Sequence, residues 1–343
     1  MRVHVHTESH PMRGPRYHNS TEFSVQTISE RQTRRWPRTT VAGSILRLKA
    51  TMPVAPPPNT EGLNAMLTDT VDAIAEAAID RRFCIGLINK QMNATRALVR
   101  RACGFEWDAE ESAREAVNTR AAHIVAAGLA DKEQKPEDEP VMVRMATNIE
   151  LLRSTLVPLE ARRELVEKEM KRLTKTLPVY AWAKDIKGLG ELGLAVIVAE
   201  AGNISGYPNI RHLWKRLGLA PCEGKAMSNW HGADLTSDEW TQCGYSCRRR
   251  AEIFACVQES LFRHQVHCNG PYKAVYDKRR AHTEAARPEW TLGRDGKALK
   301  GNGKGHYHDD ASRIMVKTLL KDLWVEWHRC EGRKLVADRW AAE

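Results

Sequence analysis

Gly188, Gly190 and Gly193 fall within six positions, flanked by Lys184 and Lys187 and followed by the apolar run Leu194–Ala199. Glycines so placed let a main chain approach an oxyanion closely enough for its N–H groups to donate. A helix that begins there adds unpaired N–H groups and the positive end of its dipole. Two chemistries use such a turn. One is the pyrophosphate turn of a dinucleotide-binding unit, G-x-G-x-x-G, and the other is the phosphate-gripping turn of a helix-hairpin-helix.

The context separates them. A dinucleotide turn needs a strand before the glycines and a carboxylate about 20 positions on for the ribose. Here "PVYAWAKDI" is a poor buried strand, and positions 207–213, "YPNIRHL", hold no carboxylate. The helix-hairpin-helix fits better, with Ile186-Lys187-Gly188-Leu189-Gly190 as its turn and a second helix burying Leu192, Ala195, Val196 and Val198. A plain helix turn that needs small residues for packing is the competing reading. If the turn binds phosphate, Lys184, Lys187, Gly188, Gly190 and Gly193 are the residues concerned, and the contact positions a duplex without reading its sequence.

Further cations lie downstream. Arg248, Arg249 and Arg250 point in three directions from one helix start, so phosphate contact and solvated surface are both open to them. Arg279, Arg280, Lys297, Lys300 and Lys304 surround the glycine-rich stretch 293–305, a candidate backbone clamp. Metal chemistry has weaker support. Cys243 and Cys247, with His264, His267 and Cys268, lack the second tight pair of a zinc site. His306, His308, Asp309 and Asp310 read more simply as acidic capping of the last helix. No metal ligands are assigned and no cofactor is expected; Mg²⁺ would enter only with a catalytic partner or a hidden acidic site. The tryptophans, Trp214, Trp230, Trp240, Trp290, Trp324 and Trp327 among them, read as packing groups rather than a base-stacking platform.

The elements that must hold these residues read as helices, and the fold class expected is all-α. Residues 1–58 are rich in Arg, His, Ser and Thr without periodicity, so a disordered basic tail is expected, with Met52 as an alternative translation start. Residues 59–130 form a helical region, in which Ile85, Ile88, Met92, Thr95, Val99 and Ala102 recur at helical spacing before Gly104. Residues 131–140, "DKEQKPEDEP", are an acidic linker. Over 141–178, Met142, Met145, Ile149, Leu152, Leu156, Leu159, Val166, Met170, Leu173 and Leu177 keep a heptad register. It predicts a helical hairpin or a coiled-coil homodimer through residues 141–177, with a kink or two abutting helices at Pro158. Residues 179–330 hold the hairpin domain, and 331–343 a tail.

The charge is uneven. The chain carries +10 overall, and residues 61–140 hold ten Lys/Arg against fifteen Asp/Glu, while 141–343 hold thirty-four against twenty-five. A basic C-terminal part favours polyanions, with double-stranded DNA first. Eight scattered cysteines and no apolar stretch of the roughly 20 residues that cross a bilayer fit a cytoplasmic, nucleoid-associated protein with no membrane partner.

Extended, the hairpin reads "IKGLGELGLAVIVAEAGNISGYPNIRHLWKRLGLAP". With Ala195, Ile197, Glu200, Gly202-Asn203-Ile204-Ser205, Tyr207, Leu213 and Gly218-Leu219-Ala220-Pro221, it resembles the C-terminal domain of the DEDD insertion-sequence transposases, the one-ten, one-sixteen and nine-hundred-two family. The likeness covers roughly 141–328, more loosely after 221, where "YDKRRA" and His306 to Trp324 match the family's closing helix. It implies DNA transposition or recombination, and structured RNA as a further partner. It also implies an N-terminal RNase-H-like domain with four metal-binding acids and a C-terminal serine nucleophile. Residues 1–140 show no such domain. After Pro221 the chain reads Cys222-Glu223-Gly224-Lys225-Ala226-Met227-Ser228, so Ser228 is only the nearest serine, a weak catalytic candidate. The expectation is therefore a DNA-gripping protein without autonomous nuclease activity. The alternatives are an active serine recombinase and a structural helical protein of mobile-element origin.

Overall fold

The computed structural model describes residues 60–133, 135–221, 242, 244, 246–292 and 304–332. The expected N-terminal tail and Met52 start, Cys222, Ser228, Trp230, Trp240, Cys243, Lys297, Lys300 and residues 333–343 lie outside them. Every regular element among the described residues is helical, as the sequence predicts.

Three long helices come first: α1 (Thr60–Ala102), α2 (Glu111–Leu129) and α3 (Glu139–Thr174). α1 buries Leu67, Val71, Ile74 and Ala78 and, further on, Thr95 and Val99, at spacings of three and four that keep one face inward. Its last turn carries Arg100 and Arg101, which oppose the negative dipole end. α3 starts with Pro140 in its first turn, where a missing N–H costs nothing. It then runs unbroken through Pro158, one helix rather than two. The proline ring is exposed, so the carbonyl it leaves unpaired meets water, and the hydroxyls of Ser154 and Thr155 donate to Leu151 and Leu152 carbonyls just before it, both at 2.8 Å.

α1 and α3 run antiparallel. Arg81 on α1 pairs with Glu167 on α3 at 2.9 Å, Arg162 pairs back to Asp80 at 2.8 Å, and Arg144 donates to the Ala102 carbonyl at 2.6 Å. The heptad face of α3 is thus filled by its own chain. Ile149, Leu152 and Leu156 join Val99, Ala121, Ile124 and Val125 in one core, while Val166 and Met170 join Val71 and Ile74 in a second, larger one. Of the two expectations for this register, the helical hairpin is the arrangement found within the chain.

The larger core is built around α5 (Gly190–Ala201), reached through the short α4 (Tyr180–Ala183). Residues Gly193 to Val198 are all buried, an apolar run with no solvent face, so α5 is enclosed by other helices. These are α1, α3, α6 (Ile210–Arg216), and the continuous rod formed by α7 (Cys247–Ile253), a π turn at Phe254–Gln258 and α8 (Glu259–Cys268). α9 (Pro271–Ala286) and the long α10 (Lys304–Cys330) complete the described part. Leu319, Leu320, Leu323, Trp324 and Trp327 of α10 enter the core; the Trp324 indole donates to the Tyr207 carbonyl at 3.1 Å, a packing role of the kind the sequence suggests.

Candidate nucleic-acid interface

The glycine turn forms as the hairpin pattern predicts. Backbone bonds from Ile186 to Ala183 and from Leu189 to Ile186, both 3.1 Å, tighten the chain between α4 and α5. Gly188 has φ +96° and Gly190 φ +59°, both in the left-handed region. Their surroundings differ. A Cβ on Gly188 would lie 2.8 Å from Leu261 Cα and 2.9 Å from the Ser260 carbonyl oxygen of α8, whereas one on Gly190 would meet open space. Gly188 is where two backbones press together, and Gly190 is where the turn faces outward. Gly193 sits on the inner side of α5 over the π turn, where an added Cβ would lie 3.6 Å from the Cys256 carbonyl oxygen, ordinary contact.

Gln265 locks this contact. Its Nε2 donates to the Lys187 carbonyl at 2.7 Å and its Oε1 accepts from the Tyr272 amide at 3.3 Å, so one buried amide ties the hairpin turn to the start of α9. The side chains of Lys184 and Lys187 are exposed. Beside them at the start of α5 sits Glu191, whose carboxyl is held low first by its own backbone N–H, against some burial, and then by the Tyr180 hydroxyl at 3.1 Å. One acid of the chain thus already answers part of the positive helix end.

The three arginines of the 248–250 run are placed by Ser246, whose hydroxyl caps α7 by accepting from the Arg249 amide at 3.4 Å. Arg248 reaches Glu200 at 2.5 Å, Arg249 approaches the same carboxylate at 3.7 Å, and Arg250 donates to the Gly218 carbonyl at 3.1 Å. Arg82 arrives from α1 at 2.7 Å, and Arg216 donates to the Glu200 carbonyl oxygen at 3.1 Å. Glu200 is buried at the C-terminal end of α5, where cations also oppose the dipole. Burial, then Arg216 and Arg248, push the Arg249 guanidinium below its ordinary range. This cluster joins α1, α5, α6 and α7. The sequence points to Arg248–Arg250 but gives no sign of Arg82, which pairs across 118 positions.

Arg279 and Arg280 are engaged too. Arg279 pairs with Asp310 at 2.6 Å, and Arg280 with Glu284 at 2.9 Å and the Tyr276 hydroxyl at 3.2 Å. Asp310 is not a helix cap, because α10 begins earlier, at Lys304. It is a buried carboxylate inside the domain. Burial raises its pKa, yet the donors Arg279, Thr283 and Arg313 outweigh that and hold the carboxyl below its ordinary range. Asp310→Asn should therefore cost roughly 1–3 kcal/mol near neutral pH, with the partly exposed arginines keeping it in that range. The sign follows from the lowered pKa. The stabilisation is present above the unfolded carboxyl range and disappears as pH falls through the folded value, so denaturant midpoints of wild type and variant should converge in acid.

Among the described residues no group of three or more His, Cys, Asp or Glu side chains is placed to hold a metal ion. His264 is turned back to the Ser260 carbonyl at 2.8 Å, and His308 packs edge-on against Phe262, 4.5 Å between ring centres, with its Nδ1 3.0 Å from the Tyr276 hydroxyl. Nor is any helix of the described residues long and apolar enough to cross a membrane. No protein-family model, curated protein or solved structure matches this chain. The described residues form an all-α fold in which a turn with two left-handed glycines leads into α5, and the C-terminal part of the sequence is cationic.

Proposed function

We propose that this chain holds double-stranded DNA by its phosphate backbone and takes part in transposition or recombination as a transposase-type DNA-binding protein, with cleavage supplied elsewhere. The observation that carries this reading is the presentation of the hairpin. Lys184 and Lys187 are exposed beside a left-handed turn whose Gly190 opens outward at the start of the 12-residue α5. An outward glycine lets a phosphate approach the main chain, and the two ammonium groups add to the field of the helix end. The +10 charge and the transposase-like pattern of residues 186–221 support the same reading. Structured RNA, which shares the phosphate chemistry, belongs to the proposal as a second ligand, and so does a cytoplasmic, nucleoid-associated location.

A homodimer through residues 141–177 also belongs to it. The heptad face is taken within the chain, so a second copy would meet the opposite side of α3, where Val143, Leu151, Val157 and Leu165 are exposed.

One observation favours a second reading, the hairpin as a packing device. Gly188 is pressed against α8, and Glu191 answers part of the α5 terminus from within the chain. The two separate by experiment. Lys184→Glu/Lys187→Glu alters exposed side chains and should leave the melting temperature unchanged. If the hairpin grips DNA, affinity for a labelled duplex falls roughly tenfold or more at low salt and the salt slope flattens by about two. Unchanged affinity in a folded variant assigns the turn to packing.

A further inference from the structure

Glu200 ends α5 among more guanidinium groups than one carboxylate can bond. Its Oε1 accepts from Arg82 of α1 at 2.7 Å and from Arg248 of α7 at 2.5 Å. Its main-chain oxygen accepts from Arg216 of α6 at 3.1 Å. Arg249 stands 3.7 Å from Oε2, an ion pair but beyond hydrogen-bond reach. Four guanidinium groups from three helices thus meet a single buried carboxylate.

Arg249 is the member that points to a ligand. Its side chain makes no hydrogen bond among the described residues, although its Nε is buried and only 21% of the side chain is exposed. A buried donor without an acceptor opposes folding, and a charged one more so. An oxyanion would satisfy it and offset the repulsion within the cluster. The cluster is also open on one side. Arg216 and Arg248 are exposed, whereas Arg82 lies deeper. Lys215 joins the same rim, exposed, with its Cε 3.7 Å from where a Cβ on Gly244 would lie, just ahead of α7.

A phosphodiester fits this rim. Its two free oxygens share one negative charge and accept paired N–H groups from guanidinium forks, a geometry that arginine offers and lysine does not. Glu200 sets the forks from behind. Its bonds to Arg82, Arg248 and Arg216 hold them before a ligand arrives, so less side-chain freedom is lost on binding.

We infer that Arg216, Arg248 and Arg249, ordered by Glu200 at the C-terminal end of α5, form a phosphate site for the backbone of double-stranded DNA. The glycine hairpin lies at the other end of this 12-residue helix, roughly 18 Å away, so the two are separate contacts. The inference rests on the DNA-binding reading for its ligand.

The test compares the wild type, Arg216→Gln/Arg249→Gln and Lys184→Glu/Lys187→Glu in anisotropy titrations of one labelled duplex. The cluster variant leaves Arg82 and Arg248 on Glu200, and with two repelling charges gone it should melt no lower than wild type. The expected result is a loss of about fivefold to tenfold in duplex affinity, with a salt slope shallower by about two. A cluster variant that binds like wild type overturns this site and leaves the hairpin reading standing. Loss in the cluster variant with none in the hairpin variant keeps this site and removes the hairpin. A wild type that binds no duplex overturns both as DNA contacts. Inorganic phosphate then decides whether the cluster takes anions at all: it does if phosphate, against chloride at equal ionic strength, raises the melting temperature of wild type more than that of the cluster variant, and it does not if the two respond alike. If the double variant melts lower than wild type, the exposed Arg216→Gln alone decides. A loss of about twofold or more with a slope shallower by about one supports the site, and unchanged affinity overturns it.

Discussion

Glu200→Gln is expected to lower the folding stability by about 3 kcal/mol, the low end of what removing one partner from a buried ion pair costs. The isosteric amide keeps the volume, so no cavity accompanies the change. What is lost is the one buried carboxylate that Arg82 and Arg248 reach at 2.7 and 2.5 Å, with Arg249 at 3.7 Å. Left together, those cations repel one another, and Arg248, nearly half exposed at 46%, is the one able to turn to water. That escape places the cost at the low end rather than higher. Urea unfolding checks it: an unchanged slope with a midpoint shift matching about 3 kcal/mol supports the account, and a loss under about 0.5 kcal/mol would mean that Glu200 is no hub.

The second large effect separates two neighbouring glycines. Gly188→Ala is expected to cost about 4 kcal/mol, and Gly190→Ala about 1 kcal/mol. Both place a Cβ on a left-handed residue, which alone costs roughly 1–2 kcal/mol. Only at Gly188 does that Cβ also drive into backbone, 2.8 Å from Leu261 Cα, where α8 must shift and the Gln265 bond to the Lys187 carbonyl is strained. Thermal melts of the two variants measure the difference. Equal costs would show that α8 does not press on the turn, and would remove the packing reading of Gly188. Because Gly188 carries this load, exposed Lys184 and Lys187, rather than the glycines, are the residues to change when DNA binding is the question.

Much of the fold was legible because it is written at short range. The heptads of α3, the end of α1 before Gly104, and the turn between α4 and α5 follow from periods of three to four residues and from glycines that other side chains would strain. What escaped was pairing at long range. No local pattern says that α1 will cover the α3 heptads, that Arg82 will reach Glu200, or that Asp310 will be drawn inside by Arg279 rather than cap a helix. Periodicity shows that a face will be buried; the partner is chosen by the whole chain. Of the site, the turn and its lysines were visible. That α6 sets the Trp214 indole against the Lys317 carbonyl of α10 was not, because nothing local links positions 103 residues apart.

On the proposed function, the chain is held to nucleic acid by its phosphates. The most direct test is the affinity of the wild-type chain for a labelled duplex across a series of salt concentrations. If about five phosphates are neutralised, log affinity falls linearly with log salt at a slope of roughly −4 to −5. Absence of binding at low salt, or a slope near zero, would contradict it.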